Sequence, residues 1–413
     1  MFKSILKLKL HWQILIAFVI AIFIGIFLTD YVDYITWLGD LFLRALKMII
    51  VPLIFTSIVS GVANLGTVKD LGRLGLKTIT YYVTTSLAAI LVGLTFVNIL
   101  QPGVGTDLGL QKSVEKGDII ADSFGNILLR MVPSNIIDAM ANADMLAVIF
   151  FSILLGFFIN RVSKEYKDTL THLANAGFEV IMKITHFVIR FTPIGILGIV
   201  AGIVAEQKGS LMEVVGSLGL YMTSVLGALF VHAFITLPLL ARFVGKVNPL
   251  KHFKAMTVPL LTAFSTSSSS GTLPLTMDAV ENNSGVSNKI TSFVLPLGAT
   301  VNMDGTALYE CVAAMFIAQA YGIDLSFLQQ VIVVFTALLA SIGAAGIPMA
   351  GLVMISVILS AVGLPLEGVG LILAVDRILD MCRTTVNVWS DSCGATIIAR
   401  TEGEELNVNV DNS

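Results

Sequence analysis

The chain of 413 residues predicts an all-α polytopic membrane protein, with eight transmembrane helices and two re-entrant helical hairpins. Three observations carry this. Hydrophobic residues make up 56% and charged residues only 13% of the chain, against ~25% charge in a soluble domain. No soluble core buries that much apolar side chain beneath an ordinary polar shell. Charge-free windows of membrane-crossing length recur along the sequence. Two further charge-free windows are broken by small or hydroxylated residues, as re-entrant hairpins are.

The composition also excludes classes. A net charge of −3 provides no basic field for nucleic acid. The three cysteines, Cys311, Cys382 and Cys393, have no metal-ligand spacing and read as small buried hydrophobes. Lys3, Lys7 and Lys9 precede an apolar run in the manner of a signal peptide. No small-residue cleavage site closes the run and further spans follow, so it reads as a retained first helix.

A helix needs ~20 apolar residues to cross the hydrocarbon layer. Residues 12–29 give the first span, 48–68 the second, and 78–106 contain the third. The fourth covers 145–160 after broken apolar pieces over 119–137; the fifth is amphipathic over 177–205, and the sixth covers 214–241. Lysines at the N-terminus, then Lys69, Arg73 and Lys77, then Arg161, Lys164 and Lys167, then Arg242, Lys246, Lys251 and Lys254 mark alternate connections. The opposite connections are acidic, with Asp30 and Asp33 in one and Asp107, Glu115, Asp118 and Asp122 in another. Lysine and arginine mark cytoplasmic loops, so a multi-pass protein of the cell (inner) membrane with both termini in the cytoplasm is expected.

Residues 255–277 are charge-free yet contain Ser265-Thr266-Ser267-Ser268-Ser269-Ser270-Gly271-Thr272. Residues 325–366 are charge-free for 42 positions, too long for one crossing, and their middle is Gly343-Ala344-Ala345-Gly346-Ile347-Pro348-Met349-Ala350-Gly351. Such a stretch does not continue a regular helix. Each window reads as a helical hairpin whose irregular tip lies at membrane depth, followed by a span containing polar residues. Paired interrupted segments point to a transporter's binding site.

The last span is the most informative. With Asp376 at 0° and ~100° per residue, Asp380 lies near ~40°, Arg383 near ~−20°, Asn387 near ~20° and Asp391 near ~60°. Five polar side chains thus share one stripe, and charge inside a membrane reads first as function. Arg383 offers the planar fork that grips a carboxylate; Asp380, one turn away, is spaced to hold an ammonium group. In the seventh span, Asn302, Asp304 and Gly305 disfavour a continuous helix and free carbonyls for a hard cation. Glu310, deeper in the same span, reads either as a protonatable carrier or as a neutral buried acid. Tyr82, Thr85 and Ser86 place three oxygens on one face of the third span, although such hydroxyls usually bond back to their own helix. Lys183, His186 and Arg190 read as an interfacial stripe. His11, His172, His232 and His252 form no ligand cluster by spacing.

Three motifs together resemble the glutamate transporters, the dicarboxylate/amino acid:cation symporters. They are Ser268-Ser269-Ser270-Gly271-Thr272-Leu273-Pro274, Asn302-Met303-Asp304-Gly305-Thr306, and Asp380-Met381-Cys382-Arg383-Thr384-Thr385-Val386-Asn387. The resemblance covers nearly the whole chain and keeps motif order. It implies a homotrimer in the lipid bilayer, inverted repeats, and a transport part that moves against a scaffold like an elevator. Residues 1–70 would give scaffold helices 1 and 2, 71–106 transport helix 3, 107–206 scaffold helices 4 and 5 with the trimer contacts, and 207–413 the remaining transport domain.

The resemblance implies that Arg383 takes the substrate's side-chain carboxylate, helped by Thr306, and that Asp380 takes the amino group. Asn387 and the first tip, Ser267, Ser268 and Ser269, would hold the main-chain carboxylate, with Thr384 beside them. The second tip, with Ile347, Pro348 and Gly351, would cover the substrate. One implied sodium site uses Gly298, Asn302, Asn387 and Asp391; a second uses Thr300, Ser341, Ile342 and Ala344; a third uses Tyr82, Thr85, Ser86, Asn302 and Asp304. Archaeal members carry an arginine where Ser267 stands and animal members where Met381 stands; this chain has Arg377 instead. Glu310 matches the proton-carrying glutamate of animal members.

The expected function is therefore a non-enzymatic symporter for L-glutamate or L-aspartate, with Na+ as coupling ion, no cofactor, and possible H+ co-transport. The alternative is a proton-coupled carrier of C4-dicarboxylates or glutamate that works without sodium. A C4-dicarboxylate needs no ammonium partner, and Asp380 argues against it.

Overall fold

A computed structural model describes residues 10–65, 73–105, 129, 132–142, 144–206, 211–343 and 350–409. These residues are almost wholly helical. In order they form α1 (Leu10–Phe27), α2 (Asp33–Leu65), α3 (Arg73–Leu100), the short α4 (Ile136–Ala141), α5 (Met145–Ile159), α6 (Lys164–Ile189) and α7 (Thr192–Glu206). Then follow α8 (Leu211–Val231), a π-helical turn (His232–Thr236), α9 (Leu237–Phe243), α10 (Pro249–Ala255), α11 (Thr257–Thr266) and α12 (Ser269–Asp278). After a second π turn (Ala279–Asn283) come α13 (Asn288–Val301), α14 (Asp304–Ala320), α15 (Phe327–Gly343), α16 (Ala350–Val362) and α17 (Val369–Thr401).

By length and composition alone, Asp33–Asn64, Arg73–Leu100 and Val215–Phe243 are apolar enough to cross a membrane. The pair Lys164–Ile189 and Thr192–Gly202 joins them as a fourth segment, bent by 51°. The sequence predicts one continuous fifth span there; the bend falls just ahead of Pro193, which has no amide hydrogen for the preceding turn. The apolar pieces over 119–137 lie mostly outside the described residues.

The first charge-free window is a hairpin of α11 and α12, packed on each other. It turns at Ser267, whose backbone is left-handed at φ 53°. Ser268 then caps α12, its hydroxyl accepting from the Gly271 amide at 3.0 Å. The second window pairs α15 with α16. The seventh span breaks at Asn302 and Met303, whose non-helical φ/ψ separate α13 from α14.

α14 forms the centre of this half of the chain. It is predominantly apolar and almost entirely buried, the pattern of a helix surrounded by others. α3, α8, α15, α16 and α17 pack around it, while α11 and α13 pack on α17. Elsewhere α2 packs on α5, α6 and α7, and α1 on α7.

Candidate functional site

α17 carries the polar stripe inward. Asp376, Asp380, Arg383, Asn387 and Asp391 are each no more than 5% exposed. Arg383 is the organising group. Its Nη2 lies 2.8 Å from Asp380 Oδ1 and 3.2 Å from Asp376 Oδ1. Its guanidinium carbon sits 3.8 Å from the centroid of the Tyr309 ring, cation–π geometry. Tyr309 donates its hydroxyl to Asp376 Oδ1 at 2.6 Å, so ring and acid together fix the plane of the guanidinium. Arg383 Nε and Nη1 have no hydrogen-bond partner among the described residues. A buried guanidinium with two unused donors is poised for a planar anion.

Two glycines allow this approach. A Cβ at Gly351 would lie 2.6 Å from Arg383 Nη1, and one at Gly305 would lie 2.6 Å from the Arg383 carbonyl oxygen. The start of α14 thereby rests on the backbone of α17. Gly305 N donates to Asn387 Oδ1 at 2.8 Å, and Asn387 Nδ2 donates to Thr306 Oγ1 at 3.1 Å. Thr384 bonds back to the Asp380 carbonyl at 2.8 Å. Arg377 Nη1 approaches Asp380 Oδ2 at 3.6 Å. Ser267 is buried with its hydroxyl unpartnered among the described residues, and Ser269 is buried.

One turn further along α17 an oxygen-rich cluster forms around the broken helix. Asn302 Nδ2 donates to Asp391 Oδ1 at 2.8 Å and to Ser390 Oγ at 3.1 Å, while its Oδ1 accepts from Thr85 at 3.3 Å. Asp304 accepts from Ser86 and from Ser390, both at 2.6 Å. Tyr82 donates to the Val294 carbonyl at 2.6 Å. Gly298 sits between Asp391 and Tyr82, where a Cβ would be 2.5 Å from Asp391 Oδ1. Carboxylates, amide oxygens and hydroxyls of this kind suit a hard cation.

Of the residues expected for two sodium sites, Gly298, Asn302 and Asp391 meet, as do Thr85 with Asn302 and Ser86 with Asp304, while Asn387 bonds Gly305 and Thr306 and Tyr82 bonds the Val294 carbonyl. The remaining set lies partly outside the described residues. Thr300 and Ser341 bond back to the Leu297 and Leu338 carbonyls. Ile342 lies at the end of the same helix, and Ala344, Ile347 and Pro348 lie outside the described residues.

Two contributors, His232 and Tyr309, carry no role in the sequence reading. His232 Nε2 lies 3.0 Å from Asp304 Oδ2, both fully buried. The partners are 72 residues apart, so no spacing rule reveals them. Tyr309 and Asp376 sit within visible motifs, yet their contact joins α14 to α17 and has no linear signature. Glu310 is fully buried, with neither carboxyl oxygen partnered among the described residues.

Residues 10–401 match the family described as the Sodium:dicarboxylate symporter family. The chain is 36% identical over 414 residues to the proton/glutamate-aspartate symporter of Escherichia coli (strain K12), covering 96% of this chain and 94% of that protein. It is 36% identical over 411 residues to the proton/sodium-glutamate symport protein of Geobacillus stearothermophilus, covering 96% of each. It is also 36% identical over 459 residues to excitatory amino acid transporter 3 of Mus musculus, covering 97% of this chain and 87% of that one.

Proposed function

The chain belongs to the sodium:dicarboxylate symporter family, and from that premise we infer that it is a secondary active symporter taking up acidic amino acids in exchange for the energy of a cation gradient. It is a transporter rather than an enzyme. The observation that carries the substrate class is the buried Arg383, held by Asp376 and Asp380 with Nε and Nη1 unused. Arg383 takes the distal carboxylate, Asp380 the ammonium group, and Asn387, Thr306 and Ser267–Ser269 the main-chain carboxylate. Gly351, with Ile347 and Pro348, covers the substrate.

Sodium is the principal coupling ion in this reading, cargo rather than a resident cofactor. It sits at Asp391 with Asn302, Asn387 and Gly298, and at Asp304 with Tyr82, Thr85 and Ser86; Thr300, Ser341, Ile342 and Ala344 would assemble a further site around the second hairpin. His232 orients Asp304. The layout is eight spans and two re-entrant hairpins in the inner membrane, both termini cytoplasmic. Residues 71–106 and 207–413 move as an elevator against a trimeric scaffold of 1–70 and 107–206. One elementary charge moved across 100 mV supplies about 2.3 kcal/mol, so steep accumulation of an anion needs several cations per cycle.

The test is uptake of labelled L-aspartate and L-glutamate into proteoliposomes under separately imposed sodium and proton gradients. Accumulation driven by an inward sodium gradient is expected. Equal accumulation in sodium-free choline medium under a proton gradient alone would place the protein with proton-coupled carriers.

A further inference from the structure

We propose that a lipid-facing cavity between α8, α11 and α17 holds an acyl chain of an anionic phospholipid, with its phosphate at the basic segment 242–254. The cavity encloses about 330 Å³, within the roughly 300–1,000 Å³ of small-molecule sites. Its floor is Leu229, Ala233, Val386 and Trp389, all buried. Its mouth is framed by Phe230, Phe234 and Phe264, which are 60%, 52% and 42% exposed.

The concavity arises where α8 passes into the π turn His232–Thr236. A π turn leaves backbone carbonyls outside the regular ladder, and the Ala233 carbonyl accepts from Trp389 Nε1 at 3.0 Å. The indole's polar atom is thereby satisfied, and its ring is fixed by stacking on His252 at 5.1 Å and edge contact with Phe253 at 5.5 Å. Water would find few partners on such walls, whereas a hydrocarbon chain matches them.

Charge specifies the lipid. Phe253 lines the cavity and is followed by exposed Lys254; Arg242 lies eight residues beyond Phe234, about 12 Å further along the helix. Segment 242–254 contains Arg242, Lys246, Lys251 and Lys254 and no acid. Basic pockets between transmembrane helices on the cytoplasmic side bind anionic head groups. The inference rests on the proposed orientation, in which this segment is cytoplasmic. The cavity floor adjoins the polar stripe of α17, since Val386 and Trp389 flank Asn387, so the chain braces the helix that carries Arg383.

The chain has three tryptophans, and Trp12→Phe with Trp37→Phe leaves Trp389 as the single fluorophore. That variant is reconstituted in phosphatidylcholine vesicles containing increasing fractions of phosphatidylglycerol or phosphatidylcholine with brominated chains. Brominated phosphatidylglycerol should quench Trp389 with an apparent preference of about fivefold over brominated phosphatidylcholine. Arg242→Gln with Lys254→Gln, both on exposed side chains, should bring the preference close to one. Val386→Phe should lower quenching by either lipid by filling the cavity. Identical quenching curves for the two lipids would mean contact with bulk lipid only and overturn the proposal, as would the absence of quenching. A preference that survives the charge substitutions would remove the head-group assignment. Quenching does not depend on transport, so lost uptake in the same vesicles would bear on the symporter reading alone.

Discussion

Arg383 is a cation taken out of water and left with donors unused, so its removal should be felt by the ligand that completes it. Under the proposed function, Arg383→Cys abolishes uptake of glutamate and aspartate, because losing a buried partner of a charged group costs about 3–5 kcal/mol. Neutral amino acids, which need no distal partner, should then compete better for uptake than acidic ones, and a competition series measures this. Asp380→Ser should instead weaken amino acids more than succinate or fumarate; equal losses for both would count against the ammonium role. At Asp391, asparagine can still offer a carbonyl to Asn302 Nδ2, which now donates at 2.8 Å, but it removes the charge. Asp391→Asn should therefore shift sodium activation of uptake to at least about tenfold higher concentration while leaving the fold intact, read by a sodium titration. Asp376, Asp380, Arg383, Asn387 and Asp391 were legible in the sequence because they share one helix and obey its period. His232 on Asp304 and Tyr309 on Asp376 were not, since those contacts join separate helices and no local period encodes them.

At the scale of elements, the end of α17 is tied to the start of α3. Glu402, which caps α17 outside the apolar span, pairs with Arg73 at 2.8 Å and Lys77 at 2.6 Å; Lys77 also donates to the Thr401 carbonyl at 2.8 Å. Hydrogen bonds from Arg73 and then Lys77 hold its carboxyl down to about 2, below the ordinary 4.5. A carboxylate whose folded pKa is depressed stabilises the fold above its unfolded pKa, and that stability is lost as pH falls through the folded one. The melting temperature in detergent should therefore be lower for Glu402→Gln than for the unsubstituted protein at pH 7. The gap should narrow from about 4.5 down to about 2, and a gap that stays constant with pH would show that the carboxylate charge contributes nothing. The spans themselves were readable from charge-free windows, and the break at Asn302–Met303 from residues that favour caps over helix interiors. The kink ahead of Pro193 was hidden within the amphipathic fifth span, whose period outweighs a single proline. The clasp of the chain's end was equally hidden. Asn248 N donates to the Val408 carbonyl at 2.7 Å, Asn407 N to the Ser284 carbonyl at 3.0 Å, and Ser287 pairs with Glu404. It joins distant segments through backbone pairing and the Glu404 side chain.

For the whole molecule, the question is how a proton could accompany the cations. Glu310 lies on α14, the helix that the rest of the site surrounds, with both carboxyl oxygens unpartnered among the described residues. Two roles then separate. As a carrier, Glu310 would exchange its proton with one face of the membrane when the substrate site is open outward and with the other after the elevator movement. As a structural acid it would stay neutral throughout the cycle. Glutamine reproduces the shape of the protonated form and cannot release a proton, so Glu310→Gln distinguishes them at the level of the complete transport cycle. If Glu310 is the carrier, the variant keeps homoexchange of internal and external aspartate, which needs no net proton movement. It loses the acceleration of net uptake by an inward proton gradient. Both are measured in the same proteoliposomes with sodium held equal on the two sides. Net uptake that keeps its original response to the imposed pH gradient would assign Glu310 to packing around Arg383, and coupling would then rest on the cations at Asp304 and Asp391.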